Sequence, residues 1–191
     1  MNTKMKPDNS EVRTISQRVF QKYKQKPDQT QEVLNKELLR CAREGDLQGL
    51  QDALKKGADV NAKNNYGETA GHYAAQNGHK DCLELLINAG LNVNAKNNYG
   101  ETAGHYAAQN GHKDCLELLI NAGLNVNAKN NYGETAGHYA AQNGHKDCLE
   151  LLINAGLNVN ARDNGGGTAG YYAARNGHIH CLKLLRKAGL E

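Results

Sequence analysis

The sequence has no tryptophan and a single phenylalanine, Phe20. Its interior must therefore be assembled from Leu, Ile, Val, Ala and Cys. No stretch approaches the roughly 18 apolar residues of a membrane span, and the opening MNTKMKPDNS lacks the apolar core of a secretory signal. A soluble chain, not exported by that route, is expected. Catalysis has no foothold: there are no paired carboxylates and no oxyanion-type motif, and Gly165-Gly166-Gly167 lacks the Lys-Ser/Thr of a phosphate loop. Neither enzymatic activity nor a cofactor is expected.

Charge of one sign is also scarce. Residues 1–30 carry seven Lys/Arg against three Asp/Glu, and residues 160–191 five against two. Between them lies a mildly acidic middle. That is not the clustered basic stripe a nucleic-acid binder needs. The cysteines Cys41, Cys82, Cys115, Cys148 and Cys181 are odd in number, and the last four recur every 33 residues. Equivalent residues of stacked helices lie roughly 8–10 Å apart, whereas a disulfide needs Cα atoms within about 7 Å. In-register bridges are excluded, and free thiols suit a reducing compartment, the cytoplasm.

What is present is repetition. The 33 residues NAKNNYGETAGHYAAQNGHKDCLELLINAGLNV occur unchanged at 61–93, 94–126 and 127–159. A looser copy fills 160–191, and 31–60 reads as a half-matching unit before them. A period of this size means a stacked array, because one unit cannot bury its own apolar face. The identity of the copies means either recent duplication or deliberate design. Within a period, Thr69 can cap a short helix, Ala70–Gln76, that Asn77-Gly78 closes. A second helix follows over about Lys80–Asn88, and Leu91–Glu101 reads as an extended hairpin finger. Helices over Glu32–Arg43 and from Asp46 to Gly57 form an N-terminal cap. Arg175, Lys183, Arg186 and Lys187 give the last unit the polar face of a C-terminal cap. Upstream, Val12, Ile15, Val19 and Tyr23 recur at helical spacing, with Arg13, Arg18, Lys22 and Lys24 around them, before Lys26-Pro27-Asp28 interrupts. Residues 1–30 are thus either a basic amphipathic helix or a basic tail.

Gly67, Thr69, His72, Ala74-Ala75, Gly78-His79, Leu85-Leu86, Ala89-Gly90 and Val93-Asn94-Ala95, repeated, resemble the ankyrin-repeat family over about residues 34–191. The resemblance implies an all-α solenoid, an ankyrin-repeat stack of helix-turn-helix units with extended finger loops. The family's Thr-Pro-Leu-His opening is Thr69-Ala70-Gly71-His72 here, recurring from Thr102 and Thr135. Gly71 gives up roughly 1 kcal/mol of helix propensity and a buried side chain. Either Tyr73 covers the gap or the backbones approach closely.

His72, His79 and Cys82 invite a metal reading, but the resemblance gives both histidines a structural role, tying turns to helix starts, and no metal site is expected. His178 and His180, near Cys181, read as unrepeated and exposed. The resemblance also implies a groove that holds protein partners, lined by Lys63, Asn65, Tyr66 and Glu68 on the finger and Tyr73, Gln76 and Asn77 on the first helix. In the later copies these are Lys96, Asn98, Tyr99, Glu101, Tyr106, Gln109 and Asn110, then Lys129, Asn131, Tyr132, Glu134, Tyr139, Gln142 and Asn143. It further implies that Asn61, Asn94, Asn127 and Asn160 match asparagines that an asparaginyl hydroxylase can modify. The expected function is a monomeric, non-catalytic protein-binding module. The alternatives are an engineered array without a natural ligand and the scaffold or targeting part of a signalling or host-interacting protein.

Overall fold

A computed structural model of the chain describes residues 26–191. The amphipathic segment Val12–Tyr23 lies outside them. Ten helices are described in pairs: α1 (Lys26–Glu44) and α2 (Leu47–Lys55), α3 (Ala70–Asn77) and α4 (Lys80–Asn88), α5 (Ala103–Asn110) and α6 (Lys113–Asn121), α7 (Ala136–Asn143) and α8 (Lys146–Asn154), and α9 (Ala169–Arg175) and α10 (Ile179–Lys187). Fingers without named strands join the pairs, and the one β-bridge among the described residues, Arg162 to Thr168, is isolated.

Each short first helix is defined by its ends. Thr69 precedes α3 in extended conformation, and its backbone N–H donates to His72 Nδ1 at 3.1 Å. Gly78 closes the helix with φ +73, a left-handed conformation that favours glycine. The ring of His112, from the next copy, lies over Gly78, where a Cβ would come within 2.7 Å of Nδ1. Here glycine is needed both for its backbone angle and for a close approach.

The helices form two layers. First helices pack on first helices (α1, α3, α5, α7, α9), and second helices pack on second helices, α2 through α10. The inner layer is built of small residues: Ala70, Gly71, Ala74 and Ala75 of α3 are all buried. The outer layer supplies bulk through Leu83 and Leu86, each 0% exposed, and their copies Leu116, Leu119, Leu149 and Leu152. Burying each such leucine contributes roughly 1.5–3 kcal/mol. One apolar cluster runs from Leu38 to Leu185.

Two sequence expectations change here. First, Lys26-Pro27-Asp28 lies within α1, which extends beyond the expected Glu32–Arg43. Proline is compatible with the first turn of a helix, where its missing N–H has no intrahelical partner. Second, the space left by Gly71 is filled neither by Tyr73 nor by close backbone approach. Leu91, from the segment after α4 of the same repeat, occupies it, and a Cβ on Gly71 would come within 2.5 Å of its Cδ2. Leu124 and Leu157 do the same at Gly104 and Gly137. The N-terminal cap makes a comparable exchange of large for small. Gly49 stands one period before Cys82, and Cys41, one period before Ala74, sends its Sγ into the space beside Gly49.

Candidate functional site

The finger is a turn held by one asparagine. Asn64 Oδ1 accepts from the backbone N–H groups of Tyr66 and Glu68, both at 2.9 Å, and Gly67 N–H closes onto the Asn64 carbonyl. A side-chain carbonyl mimicking a backbone turn is what Asn supplies most readily. Asn97 and Asn130 repeat the geometry, and Asp163 takes it over in the last finger.

Adjacent fingers are stitched together. Asn98 N–H donates to the Tyr66 carbonyl at 2.9 Å, Asn98 Nδ2 to the Asn65 carbonyl at 3.0 Å, and Lys63 Nζ to the Lys96 carbonyl at 2.9 Å. The same bonds join the second finger to the third, and the third to the fourth. Lys63, Lys96 and Lys129 therefore hold the next finger as well as carrying charge.

Beneath the fingers runs a row of phenols and carboxylates. Glu68 Oε2 accepts from Tyr73 at 2.8 Å and from Asn64 Nδ2 at 2.9 Å, while Oε1 accepts from Tyr106 of the next repeat at 3.0 Å. Tyr139 donates to Glu101 Oε1 at 2.7 Å. Burial pushes the Glu68 carboxyl up, but the hydrogen bonds from Asn64, Tyr73 and Tyr106 outweigh it and leave the group below its usual range. Burial drives the Tyr106 and Tyr139 phenols upward, with Glu68 and Glu101 adding to the shift, so both remain donors. Tyr73 is buried and carries the Arg43 guanidinium 4.2 Å over its ring. Tyr73, Tyr106, Tyr139, Glu68 and Glu101 thus join repeats to one another.

The histidines are engaged in the same way. His72 Nδ1 accepts from Thr69 N–H, so the ring hydrogen sits on Nε2 and is donated to the Glu101 carbonyl at 3.1 Å. His105 and His138 repeat this onto Glu134 and Gly167. Burial is the largest influence on all three, and it lowers their proton affinity, taking His105 to about 4. His79 Nε2 faces the Arg43 carbonyl of the preceding unit at 3.0 Å, and Cys82 is buried in the core. Among the described residues no three His, Cys, Asp or Glu side chains converge as metal ligands. The reading of His178 as unrepeated is corrected: it follows His79, His112 and His145 in one register, and its Nε2 faces the Gln142 carbonyl at 3.0 Å. The adjacent His180, which has no copy, masked that register.

One row escaped the sequence reading as a structural device. Asn61 Nδ2 donates to the Gly90 carbonyl while its Oδ1 accepts from Asn92 N–H, and Asn94, Asn127 and Asn160 do likewise. In the cap two residues divide these bonds between them. Gln31 Nε2 donates to the Gly57 carbonyl, and Asn35 Oδ1 accepts from Asp59 N–H. The recurrence of Asn before Ala at each repeat boundary was the available signal.

What the array leaves outward is different in kind. Tyr66, Tyr99 and Tyr132 are 62%, 50% and 60% exposed, whereas no Leu is among the exposed large apolar residues. Their hydroxyls have no partner among the described residues. Asn65, Gln76, Asn77, Asn98, Gln109, Asn110, Asn131, Gln142 and Asn143 are exposed beside them along the chain. The Asn77 amide turns back to the Tyr73 carbonyl, as do Asn110 and Asn143 in their copies. No described helix is long and apolar enough to cross a membrane.

A family model for ankyrin repeats in three copies matches residues 38–130 and 123–191. Two ankyrin repeat proteins of Rickettsia felis, both carrying that description as putative, are each 36% identical to this chain over 52 residues. The match covers 27% of this chain and 82% of one relative, 79% of the other.

Proposed function

The chain belongs to the ankyrin-repeat family, whose repeats are generally non-catalytic protein-interaction modules, and on that premise we propose that it binds protein partners through the surface formed by its fingers and first helices. The observation that carries this reading is the single register of Tyr66, Tyr99 and Tyr132, large amphipathic side chains left exposed, with hydroxyls that have no partner among the described residues. Tyrosine supplies contact area at little rotamer cost and is enriched at binding hot spots. Asn65, Gln76 and Asn77, with their copies Asn98, Gln109, Asn110, Asn131, Gln142 and Asn143, are the polar contacts beside them. Lys63, Lys96 and Lys129 fix the spacing of the fingers while remaining in reach of a partner. Glu68, Tyr73, Glu101, Tyr106 and Tyr139 act from below, by holding the fingers on the first helices, while the Glu134 carboxylate holds Asn130 within its own finger. Five buried free thiols support a reducing, cytoplasmic setting. The separation of basic ends from an acidic middle argues against nucleic acid as the ligand, and a monomer is the expected state.

The test compares two triple variants against a partner recovered by affinity capture. Replacing Tyr66, Tyr99 and Tyr132 with Ala removes the row. Replacing Lys80, Lys113 and Lys146, exposed on the second helices, perturbs the opposite layer. The tyrosine set is expected to weaken binding by about 2 kcal/mol or more, and the lysine set by close to nothing. Equal affinities for both would refute this face as the site.

A further inference from the structure

The spacing of the exposed tyrosines restricts the backbone conformation of a ligand that follows the row. Asn98 N–H donates to the Tyr66 carbonyl, and Asn131 N–H to the Tyr99 carbonyl, both at 2.9 Å. Standard bond lengths then cap the Cα separation of successive tyrosines at about 10 Å, and stacked helices of the kind that carry the fingers lie roughly 8–10 Å apart, which is longer than the two-residue step of a β-strand, about 6.8 Å. A polyproline II chain rises about 3.1 Å per residue with three residues per turn, so every third side chain returns to one face after about 9.3 Å. A β-strand covers a similar distance in three residues, but its side chains alternate with a period of two, and the third falls on the opposite face. An α-helix returns to a face after seven residues, about 10.5 Å, so distance alone does not separate it from polyproline II.

Hydrogen bonding does. An α-helix satisfies its carbonyls internally and docks by an apolar stripe into an apolar groove. Polyproline II leaves every carbonyl free to accept. The row here offers phenol hydroxyls with no partner among the described residues, and the exposed amides of Gln76, Gln109 and Gln142 follow the same period. The leucines that could line an apolar groove are packed in the core. Charge is matched as well: each of the first three fingers carries one Lys and one Glu (Lys63 with Glu68, and their copies), and the fourth has Arg162 with Asp163. The first finger also holds Asp59 and sums to −1, while the other three sum to zero, so the row as a whole does not call for a strongly acidic or basic segment.

We propose that the tyrosine row is a binding track for an uncharged, proline-rich segment in the polyproline II conformation, read in steps of three residues. This rests on the reading of the fingers as the binding face. Each proline-type ring packs beside one tyrosine, whose hydroxyl donates to a free carbonyl of the segment. The track stops at the fourth finger, where Gly165 stands one period after Tyr132. That finger keeps the same turn: Gly165 N–H donates to Asp163 Oδ1 at 2.8 Å, as Tyr132 N–H does to Asn130 Oδ1 at 2.9 Å. Asn164 N–H reaches the Tyr132 carbonyl at 2.9 Å, so the step is preserved. Gly165 is exposed and is not among the glycines with positive φ. Gly165→Tyr therefore adds a fourth tyrosine in register.

The experiment is fluorescence anisotropy of a labelled oligoproline of about twelve residues, about 37 Å long, titrated with the full chain. The control probe is a neutral helical peptide with an apolar residue every seventh position. Saturable binding of the oligoproline is expected, weakened roughly tenfold by each single Tyr→Ala change and abolished by all three. Gly165→Tyr should tighten it by roughly threefold or more, a gain that loss of folding cannot mimic. Failure of the oligoproline to bind, equal binding to the triple variant, or no gain from Gly165→Tyr overturns the proposal. If the helical peptide binds in a tyrosine-dependent way and the oligoproline does not, the polyproline track is wrong while the finger face stands. Tyrosine-independent binding of a captured partner removes the face itself.

Discussion

Acidification to about pH 5 should loosen this array, through His72, His105 and His138. Each ring is held by Thr N–H donated to Nδ1, at 3.1 Å, and by Nε2 facing a carbonyl of the next finger, at 3.1–3.3 Å. A second ring proton would sit on Nδ1 and face the Thr N–H donor. Burial lowers the proton affinity of all three, His105 to about 4, against about 6.5 in an unfolded chain. The folded value is the depressed one, so the stabilisation is complete above about pH 6.5 and is lost as pH falls toward about 4. At about pH 5 the unfolded His105 has gained its proton and the folded one has not. The cost is about 1.5 pH units at 1.36 kcal/mol each, or about 2 kcal/mol. His72 and His138 act in the same direction. Urea unfolding followed by circular dichroism at about pH 7 and pH 5, at constant ionic strength, reads the loss, and imidazole proton shifts by NMR read the sites. An unchanged midpoint, or His105 titrating at its ordinary value, would refute the reasoning.

Gly71→Leu should destabilise by roughly 1–3 kcal/mol, the cost of overpacking, because Leu91 already fills the space, and adding Leu91→Ala should recover much of it in the same denaturation assay. Native thiol counting should find Cys82, Cys115 and Cys148 slow to label, since burial raises all three thiols, Cys115 and Cys148 to about 11; prompt reaction would contradict their burial. Asn94→Ala should cost roughly 1 kcal/mol, the net worth of its bonds to the Gly123 carbonyl and the Asn125 N–H, since both groups are exposed and water can take its place. Deleting Asn94–Val126 should give a folded chain with a lower unfolding midpoint, whereas an aggregated product would mean that the copies are not equivalent.

The helices and fingers were legible because their signals are local. Thr before Ala-Gly-His, Asn-Gly after it, and Cys-Leu-x-Leu-Leu on the second helix each act within a few residues. The cap at α1 was less so, because Pro27 signals a helix start and a helix break with the same letter. The occupant of the Gly71 space was not legible at all: Leu91 lies twenty positions away by number and meets it only after α4 has turned back. The candidate face was readable as a set of positions but not by role. A sequence gives Tyr66 and Tyr73 the same weight, and only the carboxylate of Glu68, placed between Tyr73 and Tyr106, separates the free phenol from the engaged ones.

The engaged polar groups share a geometry that explains why this chain tolerates repetition without variation. Lys63, Glu68 and His72 each make a bond to the following copy, at 2.9–3.1 Å. None of these three bonds can close within a single copy. An isolated unit would leave the groups without those partners, at roughly 1–3 kcal/mol for each one buried. Stacking is thus what makes a repeat satisfiable, and any identical neighbour serves as well as another. Variation is needed only where the pattern changes, and there it is found. Gln31 and Asn35 of the first unit make between them the two bonds that Asn61 makes alone, and Asp163 receives the Tyr172 hydroxyl at the last. Tyr171, more than half exposed, takes the position that His138 fills one period earlier. The surface tyrosines have no side-chain part in this system of bonds. Their repetition is therefore not required by the stack, and it is on them that a ligand, and not the fold, can act.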